Sequence, residues 1–184
     1  MTAWWFPDNT VLCNFATVRR LDLLEKTLAG RGRWTDAVAY ETRRSTRYLP
    51  NLADVLTGGW LDEPIEISEP ERIARIERLR RAVFGGPPRD PRRHLGEAQT
   101  LYLLENDLEF AGSLWITDDR AAYEYAVRRG IPAWGTAEVM RAAVGAGLIA
   151  AHDGLHLLEG MVEVGRHVHR LPASAEELAA PEKS

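Results

Sequence analysis

The pattern of apolar and polar positions in residues 114–136 predicts a strand, a helix and a second strand in succession. Leu114–Ile116 is a short apolar run of the kind that a buried parallel strand requires. Apolar residues then recur at helical spacing over residues 120–129, and Gly130 is a typical residue at a helix end. Residues 131–134 begin the next strand. A strand–helix–strand unit of this length joins parallel strands, so it predicts an α/β fold with a mostly parallel sheet.

Outside this unit the pattern predicts two further strands and several helices. One strand is expected near residues 3–6, and a short one is expected at residues 65–67, where apolar and polar positions alternate. Helices are expected at residues 15–28, 36–48, 52–56, 70–84, 94–104, 137–144 and 149–164. The helix at 70–84 should expose its arginines and glutamates to water and bury an apolar stripe formed by Ile73, Ile76, Leu79 and Val83.

Two segments lack such a pattern. Residues 85–91, GGPPRDP, predict a loop that is mobile beside the functional site. Residues 172–184 are rich in Ala, Glu and Pro, and predict a tail that is frayed or bound to a partner. Neither segment is interpreted as a domain linker, because a chain of 184 residues suits one domain and neither half has a separate core.

Composition excludes several classes of protein. The hydrophobic fraction of 45% and the charged fraction of 27% are ordinary for a globular protein. A single cysteine, Cys13, excludes an internal disulfide and is interpreted as a small buried apolar residue. The N-terminus lacks the basic and apolar segments of a secretory signal, and no run approaches the roughly 18 apolar residues of a membrane span. We therefore expect a cytoplasmic protein.

The basic residues are clustered, although the net charge of -4 does not by itself indicate a nucleic-acid-binding protein. Nearly all of them are arginines, in groups at residues 43–47, 72–81 and 89–93. Each group is either a solvated helix face or a surface that contacts phosphates or an acidic partner. The sequence leaves both interpretations open.

Carboxylates recur at the ends of predicted strands and the starts of predicted helices: Asp8, Glu41, Glu97, Asp118 and Asp119. A parallel sheet can bring such positions together in one cleft. Because like charges at short range repel, a cluster of this kind either takes up protons or binds a cation. Oxygen ligands without His or Cys favour Mg²⁺ or Mn²⁺, which can activate water and stabilise the leaving oxygen of a phosphodiester. Taken singly, Asp8 is equally suited to a helix N-cap and Glu97 to the first turn of a helix.

Four segments, in this order, resemble a PIN domain: FPDNTVLCNFA, the glutamate of VAYETRR, HLGEAQTLYLL and ITDDRAAYEYAVRRGIPAWGT. The pattern is most similar to the VapC-like toxins of bacterial toxin–antitoxin pairs, in the branch with a GEA motif and a DD motif. The resemblance covers about residues 3–150. It implies a PIN-like nuclease domain at 1–150, followed by a C-terminal helical extension and tail at 151–184 that belong to the same domain.

The resemblance further implies a three-layer α/β/α fold and a Mg²⁺- or Mn²⁺-dependent endoribonuclease that cuts RNA. It implies as partners a cognate antitoxin and a second copy of the chain in a homodimer. By position in the motifs, Asp8, Glu97 and Asp119 would ligate the metal. Asp118 and Glu41 would bind a second ion or orient water, which makes all five acids candidate catalytic residues. The hydroxyls of two threonines, Thr10 and Thr117, would hydrogen-bond the acids.

Two other functions remain open at this point. In a phosphatase of the haloacid-dehalogenase type, Asp8 would be a nucleophile. That family has a second aspartate where this chain has Thr10, and it needs a lysine in the site, whereas the only non-terminal lysine here is Lys26 in a predicted helix. The third possibility is a PIN-like binding module without activity. His167 and His169 alternate with Val168 as on a strand face and are not interpreted as metal ligands.

Overall fold

The central sheet consists of three short parallel strands. The computed structural model describes residues 3–180, and its strands are β1 (Trp5–Pro7), β2 (Leu114–Ile116) and β3 (Ala133–Trp134). β2 lies between the other two, with Trp115 opposite both Phe6 and Ala133. The carboxyl ends of the three strands therefore lie at one edge of the sheet.

Helices make up most of the rest of the described chain. The α-helices are α1 (Asn9–Thr17), α2 (Leu21–Leu28), α3 (Asp36–Ser45), α4 (Ala53–Gly58), α5 (Pro70–Ala82), α6 (Leu95–Asn106), α7 (Arg120–Arg128), α8 (Thr136–Gly145), α9 (Ala151–Glu163) and α10 (Ala175–Ala179). Short 3₁₀ helices span Pro50–Leu52 and Leu108–Phe110. None of the helices in the described part of the chain is both long enough and apolar enough to cross a membrane.

The strands bury side chains on both faces of the sheet, which explains their unbroken apolar sequences. Trp5 and Ile116 face one hydrophobic core, which contains residues of α1, α2, α3, α8 and α9. Phe6 and Trp115 face a second core, which contains residues of α5, α6 and α7. Helices thus cover both sides of a parallel sheet, and the predicted three-layer α/β/α fold is confirmed.

The strand–helix–strand unit predicted for residues 114–136 is confirmed. β2 occupies the predicted residues, and Gly130 ends the turn after α7 with a left-handed φ of +71°. The strand expected near residues 3–6 is β1. The strand expected at residues 65–67 is reduced, within the described residues, to one isolated parallel bridge between Ile65 and Thr35.

The single helix predicted for residues 15–28 is wrong. α1 begins earlier, at Asn9, because the Asp8 side chain caps it by accepting a hydrogen bond from the backbone N–H of Val11 at 2.9 Å. The chain then breaks at Arg19, whose φ of 56° is left-handed and incompatible with a continuous helix. α2 starts after this break.

The prediction that all arginines of the α5 region face water is wrong for Arg80, whose side chain has 0% exposure. Its guanidinium binds the Glu77 carboxylate at 2.7 and 2.8 Å. It also donates to the carbonyl oxygens of Asp90 and Arg93, both at 3.1 Å, and of Pro87 at 3.2 Å. These bonds fix the backbone of the loop between α5 and α6, a geometry that does not favour the mobility predicted from its Gly and Pro residues.

Replacing Arg80 by methionine is expected to lower the free energy of unfolding by about 3 kcal/mol or more. The change removes the donor to three carbonyl oxygens and the partner of Glu77 in a part-buried site, and such losses are among the costly ones. The matched control is Arg81→Met, because Arg81 binds the same glutamate at 2.6 Å but has a side chain that is 53% exposed. Urea unfolding of the control should differ from the native chain by about 0.5 kcal/mol or less. Equal losses in the two variants would contradict the role assigned to Arg80.

The C-terminal region packs onto the domain instead of extending from it. Leu158 of α9 and Leu178 of α10 are fully buried in the same core as α8. Ser174 caps α10 by accepting a hydrogen bond from the Glu177 N–H at 3.2 Å. The frayed or partner-bound tail predicted for residues 172–184 is therefore wrong for the residues of α10. Residues 181–184 of that prediction lie outside the described residues.

Candidate active site

Asp8 lies where β1 ends and α1 begins, and it is 7% exposed. Its Oδ1 accepts the hydrogen bond from Val11 that caps the helix, and its Oδ2 accepts a short hydrogen bond from the Thr117 hydroxyl. The predicted bond between Thr117 and an acid is thereby confirmed. Among the described residues no hydrogen bond joins the Thr10 hydroxyl to an acid; instead the Thr10 carbonyl accepts from the Arg166 guanidinium at 3.3 Å.

Thr117 also connects Asp8 to the turn that follows β2. While its hydroxyl donates to Asp8, it accepts the backbone N–H of Asp119 at 3.1 Å. Asp119 in turn caps α7, because its Oδ1 accepts the Ala122 N–H at 2.8 Å, and it is partly exposed. The carboxyl ends of the adjacent strands β1 and β2 thus place Asp8 and Asp119 on either side of one threonine.

Glu41 and Glu97 reach the same place from two helices that pack against each other, α3 and α6. Glu97 lies in the first turn of α6, where its carboxylate contacts His94 Nδ1 at 3.0 Å. The approach of the two helices depends on Gly96. A Cβ at that position would lie 3.0 Å from a methyl group of Val38 and 3.4 Å from both carboxylate oxygens of Glu41. The absent side chain explains the glycine of the GEA motif and leaves space beside the Glu41 carboxylate.

The pKa values of these acids indicate that their carboxylates lie close enough to interact electrostatically. Burial raises the pKa of Asp8 to about 8, and the negative charges of Asp118 and Glu97 add to the effect. Burial likewise raises the pKa of Glu41 to about 8, with further contributions from Glu97 and Asp8. The fold therefore brings Asp8, Glu41 and Glu97 together, as the sequence predicts.

The free energy of unfolding of the metal-free protein is expected to fall as the pH rises from about 4 to about 8. Both groups have a pKa of about 8 in the folded protein, whereas carboxyls of an unfolded chain titrate near 4. Between these values the folded state binds more protons, so its advantage is complete at low pH and is lost as the pH passes through about 8. The slope is at most about 1.4 kcal/mol per pH unit for each group.

Urea unfolding in a chelator at several pH values measures this slope. Asp8→Asn removes one of the two titrating groups and should flatten the slope. Asp153→Asn is the matched control, since the Asp153 side chain is 71% exposed on α9, and it should leave the slope as it is in the native chain. A slope that Asp8→Asn does not change would mean that Asp8 is ionised in the folded protein.

Asp118 occupies a different environment from the acid that follows it. It is fully buried, and each of its carboxylate oxygens accepts two hydrogen bonds. Oδ1 accepts the backbone N–H groups of Thr136 at 3.1 Å and His169 at 2.9 Å. Oδ2 accepts from the Asn14 amide at 2.9 Å and, through a short bond, from the Thr136 hydroxyl. This geometry favours a structural role for Asp118, which joins β2 to α1, α8 and the C-terminal segment.

Asn14 is a residue that the sequence reasoning missed. It is fully buried in α1, its amide N–H donates to Asp118, and its Oδ1 accepts from Arg166 Nε at 2.9 Å. The sequence does offer one indication of its role: Asn14 is the one polar residue in the otherwise apolar segment 11–16 of a buried helix. A buried amide in such a place needs polar partners, and these partners identify the network.

Several other sequence expectations can be compared with the fold. Cys13 is buried, as predicted. The strand expected around His167 and His169 is wrong, because this segment is irregular and its backbone bonds to Asp118 instead of a neighbouring strand. Lys26 lies on α2 with a 63% exposed side chain and pairs with Asp22, which places it on the surface rather than among the acids.

We call Asp8, Glu41 and Glu97, together with Asp119, which Thr117 connects to Asp8, the acid cluster; its side chains offer only carboxylate oxygens as ligands. Such a set suits a hard divalent cation, and a bound cation would stabilise the ionised forms of Asp8 and Glu41, which burial and the neighbouring negative charges disfavour. Within residues 3–180, no group of three or more His, Cys, Asp or Glu side chains lies close enough together to coordinate one metal ion. Binding an ion would thus require the carboxylates of the acid cluster to move closer to one another.

Comparison with protein families gives one result that spans nearly the whole described chain. The family described as a PIN domain matches residues 5–173. The match includes the segment between α4 and α6 and most of the region after residue 150. Comparison with curated proteins and with solved structures gives no match. The family match and the parallel three-layer fold agree: the chain belongs to the PIN-domain family.

Proposed function

We propose that this protein is a metal-dependent endoribonuclease that acts in the cytoplasm as the toxin of a toxin–antitoxin pair. The observation that carries the proposal is the convergence of Asp8, Glu41 and Glu97 at the carboxyl edge of the sheet, where burial and, to a lesser extent, the charge of Glu97 raise the pKa of both Asp8 and Glu41 to about 8. PIN domains are usually nucleases. A buried cluster of carboxylates can bind a divalent cation, and such a cation can catalyse phosphodiester hydrolysis.

In this proposal Asp8, Glu97 and Asp119 hold a Mg²⁺ or Mn²⁺ ion. The ion, when bound, supplies activation of water and stabilisation of the leaving oxygen. Thr117 fixes the Asp8 carboxylate with its hydroxyl and fixes the Asp119 backbone with the same oxygen. This bond sets the separation of two ligands that come from different strands, which is the usual task of groups behind metal ligands.

Glu41 is assigned to proton transfer. Its pKa of about 8 lies close to neutral pH, where a carboxyl can both accept and release a proton. Arg44, one turn further along α3, favours its ionised form. Asp118, whose oxygens already accept four hydrogen bonds, positions the turn that carries Asp119.

The partners proposed besides RNA are a small antitoxin and a second copy of this chain. They follow from the resemblance of the sequence motifs to the toxins of toxin–antitoxin pairs. Light scattering of the purified chain tests the homodimer. Growth arrest on expression, relieved by a co-expressed partner, tests the toxin role.

A panel of three substrates tests the activity itself: single-stranded RNA, DNA of the same sequence, and a small aryl phosphate, each with Mn²⁺. An endoribonuclease cuts the RNA internally and leaves the aryl phosphate intact. Rapid release of phosphate from the aryl ester would instead indicate a phosphatase. A folded chain that cuts none of the three and binds no Mn²⁺ in calorimetry would be a binding module, and the proposal would be wrong.

A further inference from the structure

A surface groove adjoins the acid cluster at Glu41. It has a volume of about 290 Å³ and is lined by Asn9, Glu41, Arg44, Ser45, Arg47 and Tyr48. We call it the Tyr48 groove. Its volume lies just below the range of about 300–1,000 Å³ for pockets that bind small ligands, so it suits one unit of a polymer. Its lining therefore combines an acid of the candidate site, Glu41, with two arginines and an aromatic ring.

Tyr48 is an exposed ring on a fixed backbone. Its side chain has 86% exposure. Its N–H donates to the Ser45 carbonyl at 3.0 Å, and Leu49 N–H donates to the same oxygen at 3.0 Å. Leu52 follows in a 3₁₀ helix and is fully buried, which anchors the segment to the core. A flat apolar ring held in water by a rigid turn is a suitable platform for stacking a base.

The cations beside this ring are free to bind a ligand. Arg44 and Arg47 are exposed, and within residues 3–180 no ion pair is found for either of them. The guanidinium of Arg92 lies over the Tyr40 ring at 3.9 Å, and that of Arg44 lies 6.0 Å from the same ring. Arg44 and Arg47 line the same groove as Glu41 and thus border an acid cluster that would otherwise repel a polyanion. Guanidinium groups bind phosphate with particular strength, because their N–H groups match its oxygens.

We propose that the Tyr48 groove binds an unpaired nucleotide of single-stranded RNA next to the bond that is cut. The base stacks on Tyr48, and the flanking phosphates contact Arg44 and Arg47. This inference rests on the proposed function and adds the residues of this chain that hold the substrate beside the acids. A base inside a duplex is stacked on its neighbours and cannot stack on Tyr48, so the groove selects unpaired segments.

Binding of a short fluorescent single-stranded RNA, followed by anisotropy with Mn²⁺ present, tests the proposal. All variants carry Asp119→Asn, which keeps the probe intact. Tyr48→Ala is expected to weaken binding roughly tenfold, whereas Tyr48→Phe keeps the ring and should stay within about twofold. Leu108→Ala is the matched control, because Leu108 is also 86% exposed but precedes β2, at the opposite edge of the sheet from the acids.

The salt dependence of binding tests the arginines separately. Each phosphate contact contributes about 0.7 to the slope of log affinity against log salt concentration for a single strand. The double variant Arg44→Gln with Arg47→Gln should therefore lower that slope by about 1.4. Arg78→Gln, an exposed arginine of α5, is the control and should leave the slope unchanged. Duplex RNA of the same sequence should compete more weakly than the single strand.

The outcomes separate this inference from the proposed function. If the native chain cuts RNA but neither set of groove variants changes binding, the inference is wrong and the nuclease remains; the groove is then open to a protein partner. If binding depends on Tyr48 but the native chain cuts nothing, the base-binding role of the Tyr48 groove is supported and the proposed nuclease function is wrong. If the chain binds no RNA at all, the inference is wrong.

Discussion

Replacing Asp118 by asparagine is expected to destabilise the protein by about 3–5 kcal/mol, a loss that can prevent folding at physiological temperature. The Asp118 carboxylate accepts four hydrogen bonds while fully buried. Asparagine replaces one acceptor oxygen by an NH₂ group, whichever way the amide is turned. That group would face either two backbone N–H groups or the Asn14 amide. Donor would meet donor in the core, and no water could compensate.

Urea or thermal unfolding measures this effect, and Asp119→Asn is the matched control at the neighbouring position. Asparagine is as good an N-cap as aspartate, so the Asp119 variant should keep its bond to the Ala122 N–H and lose about 1 kcal/mol or less. Equal stability of the Asp118 variant and the native chain would show that the four-bond network is not what holds the turn.

Asp119→Asn is in contrast expected to reduce RNA cleavage by about three orders of magnitude or more with the fold intact. The substitution removes a negative charge from the acid cluster but preserves the cap of α7 and the backbone bond to Thr117. A neutral amide is a far weaker ligand for Mg²⁺ or Mn²⁺ than a carboxylate. The loss should therefore fall on catalysis and metal affinity and leave the unfolding curve nearly unchanged.

Cleavage rates at saturating Mn²⁺ measure this loss, and Asp153→Asn is the control. It makes the same chemical change at an exposed position of α9 and should cut RNA at the native rate. Full activity of Asp119→Asn would remove Asp119 from the active site. Comparable losses of activity in Asp119→Asn and Asp153→Asn would indicate a general effect of charge on RNA binding.

The parts of this molecule that the sequence predicts are those with local signals. The apolar run of β2, the helical spacing of α7 and the acids after strand ends all follow from backbone periodicity and from where parallel strands terminate. Glu41 and Glu97 could be placed together because the motifs that contain them resemble a known family. Their proximity itself depends on the missing side chain of Gly96, which no periodicity reveals.

The features that escaped prediction depend on contacts between distant segments. Arg80 has the sequence context of a solvated helix face, but a loop that follows α5 folds back and buries it beneath three carbonyls. Asp118 and Asp119 are indistinguishable as neighbouring acids in the chain. They differ only because α8 and the C-terminal segment pack beside Asp118. The backbone N–H groups of Thr136 and His169 bind its carboxylate there, whereas Asp119 stays at the candidate site. The break at Arg19 likewise has no strong residue signal, since neither Gly nor Pro is present there.

The most direct measurement of the central claim is cleavage of a total RNA pool by the purified chain with Mg²⁺, with Mn²⁺ and with EDTA, beside Asp8→Asn. We predict discrete fragments with either metal and none with EDTA. Cleavage should return when Mn²⁺ is restored in excess, and Asp8→Asn should give none under any condition. Fragments that persist in EDTA, or that Asp8→Asn produces at the native rate, would contradict a metal-dependent ribonuclease centred on these acids.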